Sequence, residues 1–180
     1  KDLAAISYQC ALAGADIIKD DHGLTNQHMA PFKERCEAIC SAVNKANAET
    51  GGSTLYFPNI AGQSTDCLGF ARFAKEAGAG GVLILPGLFG FDLINQLARD
   101  DTFDLPIMSH PSFLGPYVLS KDTGFSHAIM FGVIQRLSGA DISVFPNVGG
   151  RFGFSASECL SIIEKCLEIG RAVQQECRDR

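Results

Sequence analysis

The chain has 180 residues, 46% hydrophobic and 19% charged, enough for one soluble globular unit with a substantial core. A net charge of -5 and the lack of any Lys/Arg run argue against a nucleic-acid partner. Gly, Pro or a charge interrupts every apolar run and no leader segment is recognisable, so no membrane partner is expected and the expected location is the cytoplasm.

Residues 2–13 carry Leu3, Ile6, Cys10 and Leu12 at near-helical spacing, stopped by Gly14. A strand over 15–19 follows, then a polar loop through Gln27. Pro31 to Thr50 reads as a helix with Cys36, Ile39, Cys40 and Val43 on one side, ended by Gly51-Gly52. Ser53 to Ile60 is rich in strand formers and closes at Pro58-Asn59. Ser64, Thr65 or Asp66 can cap the next helix, which stops at Gly78.

Gly81 to Leu85 is an apolar strand ending at Pro86-Gly87, and Phe91 to Arg99 a short helix. Leu105 to Ser109 is a strand ending at His110-Pro111. Ser126 opens a helix over Ala128–Leu137, and Asp141 to Phe145 is a strand ending at Pro146-Asn147. A glycine-rich loop, Val148 to Phe154, leads to Ser155-Ala-Ser-Glu158, a capping box for a last helix from Ala156 to about Gln175. Lys1 already lies in helix-like sequence and Arg180 ends a helix, so the chain reads as a piece of a longer protein.

Seven cysteines occur without a zinc-type CxxC pair. Cys36 and Cys40, and likewise Cys159 and Cys166, share helix faces where free thiols act as small core hydrophobes; Cys67 reads as a first-turn helical residue. None has a catalytic signature. His28 and His127 look peripheral.

The apolar run Ala15–Ile18 stops at Lys19, Asp20, Asp21 and His22. Such a cluster at a buried strand end must be solvated, paired or bound to a cation. It is either a polar strand-to-loop junction or a metal site built from a lysine and carboxylates.

Five apolar strands, each followed by a helix at a repeat of roughly thirty residues, point to an α/β fold with a parallel sheet buried on both faces. Polar, Gly or Pro residues at every strand's C-terminal end fit a TIM (β/α)8 barrel or a doubly wound sheet. The absence of GxGxxG and Walker motifs favours the barrel, incomplete here, with about one strand lacking before and two after.

The order of motifs resembles the catalytic barrel of the RuBisCO large chain. Ile18-Lys-Asp-Asp21 matches that family's Lys-Asp-Asp-Glu at the end of its second barrel strand. Ala46-Asn-Ala-Glu-Thr-Gly51 resembles Ala-Gln-Ala-Glu-Thr-Gly, and Arg136-Leu-Ser-Gly-Ala-Asp141 resembles Arg-Leu-Ser-Gly-Gly-Asp. Tyr56 to Gly62 resembles the third strand. His110 stands at the fifth-strand histidine, and Val148-Gly-Gly-Arg151 lies in the mobile sixth loop.

There are departures: His22 replaces a metal-binding glutamate, Pro111 a phosphate-holding arginine, Val144 a histidine and Arg151 the loop lysine. The chain is therefore most similar to RuBisCO-like proteins, form IV, rather than to enzymes that fix CO2. The resemblance covers nearly the whole chain and implies barrel strands two to six, without the N-terminal domain or the last strands.

The resemblance implies that Lys19, carbamylated by CO2, joins Asp21 and His22 around Mg2+. The nitrogen of His22 opens the site to Mn2+, Fe2+, Co2+ or Zn2+; alternatively His22 turns away and water completes the shell. His110 is either a hydrogen-bonded structural histidine or a proton-carrying, substrate-binding one, and together with Lys19 forms the catalytic pair. Arg151 is either a solvated loop arginine or a clamp on a substrate anion, and Asn59 and Asn147 are substrate-binding candidates.

The implied partner is a sugar phosphate, and the implied assembly a homodimer whose second chain completes the site. The expected activity is a metal-dependent carbon–carbon lyase acting through an enediolate, decarboxylating or cleaving a 3-oxo-isoapionate-4-phosphate-type sugar acid. The alternatives are an enolase or isomerase acting on methylthioribulose-type phosphates in methionine salvage, and a non-catalytic regulatory barrel.

Overall fold

The computed structural model describes residues 2–120 and 122–178, with side-chain surroundings through residue 168. The chain alternates helix and strand as α1 (Asp2–Leu12), β1 (Ile17–Lys19), α2 (Phe32–Thr50), β2 (Leu55–Phe57), α3 (Cys67–Glu76), β3 (Val82–Ile84), α4 (Pro86–Phe89), α5 (Phe91–Ala98) and β4 (Ile107–Ser109). A 3-10 turn at Gly115–Tyr117 and a π-helical stretch at Ile129–Val133 precede α6 (Ile134–Ser138), β5 (Ile142–Ser143) and α7 (Ala156–Arg178).

Every strand pair is parallel. β1 lies beside β2 with Ile17 opposite Leu55 and Lys19 opposite Phe57; β3, β4 and β5 form a second group in that order. A parallel bridge between Asn59 and Leu83 joins the groups: Leu83 N donates to Pro58 O at 2.9 Å and Ile60 N to Leu83 O at 3.1 Å. Strand neighbours thus follow chain order throughout, without the reversal that marks a doubly wound sheet.

Side chains alternate across the sheet and build two cores. Tyr56, Val82, Ile84 and Ile107 pack outward against Cys36, Ile39, Cys40, Ala71, Ala74 and Ile94 of the helices. Phe57, Leu83, Leu85 and Met108 meet on the opposite face. A third cluster, with Leu114, Phe131, Phe154 and Ile162, ties the segment after β4 to α7.

α2 buries the expected side, Cys36, Ile39, Cys40 and Val43, and ends where Gly51 takes φ 71°, a left-handed cap that a Cβ would disfavour. Asp66 stands at the N-cap of α3 but makes no side-chain capping bond. The capping box before α7 forms reciprocally: Glu158 N donates to Ser155 Oγ at 3.2 Å and Ser155 N to Glu158 Oε2 at 2.7 Å. Cys36, Cys40, Cys67 and Cys159 are buried free thiols.

The helix expected over residues 2–13 forms as α1; it buries Ser7 and Ala11, while Leu3 and Ile6 lie exposed. One expectation needs correction: the strands are not all buried on both faces, since β3 and β4 are, whereas Ile17 of β1 and Leu55 of β2, which lie opposite each other, are exposed. The helix expected over Ala128–Leu137 forms, with a π-helical stretch at Ile129–Val133 leading into α6 and Gln135 Nε2 donating to the carbonyl of Met130.

Candidate functional site at the strand ends

Strand alternation at the end of β1 sends Lys19 and Asp20 in opposite directions. Ile18 is opposite Tyr56 and packs on the helix side, so Lys19, opposite Phe57, belongs to the other face. Asp20 returns to the helix side and is buried. Its Oδ2 accepts from Arg35 Nε at 3.1 Å and from Asn59 N at 3.0 Å, and its Oδ1 from Tyr56 Oη at 2.9 Å. Burial raises the Asp20 carboxyl above its ordinary pKa, while the Arg35 guanidinium and the three hydrogen bonds pull it down.

Lys19, Asp21 and His22 are exposed. Lys19 Nζ donates to the carbonyl of Asp20 at 3.0 Å. Asp21 Oδ1 accepts from Gly23 N at 2.7 Å, which with the nearby His22, Lys19 and His110 holds this carboxyl below the usual carboxylate range. Asp21 Oδ2 lies 3.8 Å from His22 Nδ1. The His22 ring stacks on that of His110, centroids 4.6 Å apart and planes 19° apart, so the ends of β1 and β4 meet.

His110 Nδ1 accepts from Ser112 N at 3.2 Å and contacts Ser112 Oγ at 2.9 Å. A backbone N–H can only donate, so the neutral ring carries its proton on Nε2. Burial, with His22 and Lys19 adding to it, lowers the His110 pKa from 6.5 to about 4. At neutral pH this histidine is an uncharged donor.

Asn59 is buried beneath the cluster. Its Nδ2 donates to His22 O at 3.0 Å and its Oδ1 accepts from Ala61 N at 3.0 Å, so its polar atoms hold the loop rather than reach outward to a substrate. Asn147 and Arg151 sit apart, on the exposed glycine-rich loop; Asn147 O accepts from Gly150 N, and the Arg151 guanidinium lies 5.6 Å over the Phe152 ring. Among the described residues, no hydrogen bond or ion pair joins either to Lys19, Asp21, His22 or His110. Clefts of about 450 and 610 Å3 lie elsewhere, one between α5 and β4, the other between residues 118–127 and the glycine-rich loop.

Among the described residues no three His, Cys, Asp or Glu side chains converge as metal ligands. Asp21 offers one carboxylate oxygen not held by Gly23 and His22 one ring nitrogen; Lys19 contributes an oxygen only if carbamylated. With that modification the donor set fits a divalent cation. Without it, two donors and an ammonium do not.

Sequence reasoning missed Arg35, Tyr56 and Ser112. The legible signal was Arg35 itself, a charge on an otherwise apolar face beside Phe32 and Cys36, which requires a buried partner.

Residues 1–167 match the catalytic domain of the ribulose bisphosphate carboxylase large chain. The chain belongs to that family. Among its relatives, the 2,3-diketo-5-methylthiopentyl-1-phosphate enolase of Bacillus licheniformis is 37% identical over 166 residues, 92% of this chain and 41% of that protein. The 5-methylthioribulose-1-phosphate isomerase of Rhodospirillum rubrum is 36% identical over 92% of this chain and 42% of that one. The crystal structure of a RuBisCO-like protein from Rhodopseudomonas palustris superposes with a TM-score of 0.81 at 38% identity, covering 91% of this chain and 45% of that one.

The chain thus spans about two-fifths of the length of these enzymes. As expected, the RuBisCO-like branch is the similar one. The two enzymes carry the names of the alternative activity, enolase and isomerase; neither is named a decarboxylase or carbon–carbon lyase, which leaves the activity expected first without support.

Proposed function

We propose that this chain is part of the (β/α)8 barrel of a RuBisCO-like enzyme that moves a proton beside a carbonyl of a methylthio-sugar phosphate, as an enolase or isomerase. Parallel strands in unbroken chain order, with an apolar cluster on the face away from the helices, support the barrel. The observation that carries the activity is the stacked His22–His110 pair beside Lys19 and Asp21 at the C-terminal strand ends.

Removing a proton next to a carbonyl puts negative charge on the oxygen. His110, neutral and with Nε2–H free of Ser112, donates a hydrogen bond to that oxygen without adding a charge that would tie up the substrate beforehand. Lys19 as its carbamate, Asp21 and His22 would hold Mg2+ or a softer divalent ion, which when bound supplies positive charge beside the same oxygen. Asp20 keeps Lys19 and Asp21 on the open face by being fixed on the other. Arg151, on a loop with glycines at 149, 150 and 153, reaches for the substrate phosphate. The working unit is a homodimer of the full-length chain.

The test is solvent-deuterium exchange by full-length protein with Mg2+ and bicarbonate, on 2,3-diketo-5-methylthiopentyl-1-phosphate and 5-methylthioribulose-1-phosphate. Exchange is expected on one of them, falling at least about a hundredfold in Lys19→Ala. Release of CO2 from a 3-oxo sugar-acid phosphate, with no exchange on either methylthio compound, would restore the lyase reading.

A further inference from the structure

We propose that His127, acting through Glu158, is a positioning residue that holds the stems of the glycine-rich loop and so sets where Arg151 is presented. Residues 147–154 leave β5 and enter α7, and their tip is exposed: Arg151 and Phe152 face solvent, and Gly149 and Gly153 take φ 69° and 68°. The stems are held differently. Phe154 is buried, its ring edge-on to that of His127, centroids 4.4 Å apart at 83°, and 5.5 Å from Phe131. Val148 and Phe154 form a parallel bridge that closes the loop at its base.

The next residue, Ser155, is fixed by the first turn of α7. Glu158 Oε2 accepts from Ser155 N at 2.7 Å and from Ser155 Oγ at 2.9 Å. The other oxygen of the same carboxylate, Oε1, lies 3.3 Å from His127 Nδ1. The upstream stem reaches the same turn, since Cys159 Sγ donates to Pro146 O at 3.6 Å. Both ends of the loop therefore grip one turn of helix, and His127 joins that turn to the start of the helical segment that precedes β5.

His127 makes two contacts at once: an aromatic ring for Phe154 and a nitrogen for Glu158. Its side chain is largely covered, at 18% exposure, on the wall of the cleft of about 610 Å3 that Phe152, Gly153 and Phe154 also line. Loss of the side chain frees the Phe154 stem and one carboxylate oxygen at once, and the exposed tip gains room to swing. What Arg151 does to a substrate rests on the proposed function. Where the loop sits does not.

The experiment uses full-length protein and two readouts. Trypsin cuts after Arg151, so the native-state cleavage rate at that bond reports opening of the loop without reference to activity. His127→Ala should speed cleavage at Arg151 about tenfold relative to the other tryptic sites, the scale of losing an aromatic contact and a polar one. His127→Phe, which keeps the ring, and His127→Gln, which keeps a donor, should each recover part of the protection.

The second readout is the KM for the phosphorylated substrate. It should rise in both His127→Ala and Arg151→Ala, with kcat less affected, and should rise no further in the double variant. Unchanged cleavage at Arg151 in His127→Ala, equal acceleration at every site, or fully additive KM effects overturn the proposal. Unchanged KM in Arg151→Ala with accelerated cleavage in His127→Ala overturns only the role given to Arg151 and leaves the loop anchor standing.

Discussion

Asp20 and Asp21 are neighbours with opposite surroundings. On the helix side of β1, the Asp20 carboxylate is buried against Arg35, Tyr56 and the Asn59 amide, with both oxygens bonded. On the open side, Asp21 is exposed, keeps one oxygen free of Gly23 and sits beside Lys19, His22 and His110. One carboxylate fixes the direction of the strand end and the next is left available for chemistry. The lesson is that the fixed member makes the free one useful, because a strand end with no anchor would not keep two residues of alternate register facing one way.

Breaking the buried side should have the largest effect. Asp20→Ala or Arg35→Ala leaves an unpaired charge inside and is expected to cost about 3–5 kcal/mol in denaturant unfolding of the full-length protein. A loss under about 1 kcal/mol would mean that the pair is solvated in solution. Tyr56→Phe removes one of the bonds to the same carboxylate and is expected to cost about 1 kcal/mol by the same measurement.

The open side shows itself in pH. His110 has a folded-state pKa lowered from 6.5 to about 4, so between these values the unfolded chain binds the proton first. Its stability contribution is complete above pH 6.5 and is lost as the pH falls through about 4. Over that window the wild type should lose about 1 kcal/mol more than His110→Gln, a figure reduced for solvent screening of a half-buried ring. Equal losses would show that His110 is not desolvated. The smallest expected effect is that of Asp21→Ala, whose unfolding free energy should stay within about 0.5 kcal/mol of wild type even though exchange activity falls. A large loss of stability there would erase the contrast between the two aspartates.

Much of this was legible in the sequence. The helices and strands, the capping box of Ser155 and Glu158 and the core thiols all rest on local spacing, which a linear reading sees. The fate of Asp20 was not legible, because its partners come from α2 and β2 and only packing selects them. Nor was the buried side of α1: Leu3 and Ile6 have the right period, yet they lie exposed while Ser7 and Ala11 are covered. His127 looked peripheral because its partners Phe154 and Glu158 lie a whole strand and loop further along the chain. Asn59 was placed at the right strand end, but that its short amide ties back to His22 and Ala61 is a matter of loop geometry, which spacing does not show.

The buried carboxylate also bears on the order of assembly. Among the described residues, the groups that bond the Asp20 carboxylate are Arg35 of α2, Tyr56 of β2 and the backbone of Asn59 just past β2. The ion is neutralised within the first strand–helix–strand unit, before any residue of the third strand is needed. Short-range closure of this kind favours early formation, so a nascent polypeptide can settle the orientation of its future reactive edge while the remainder is still being synthesised.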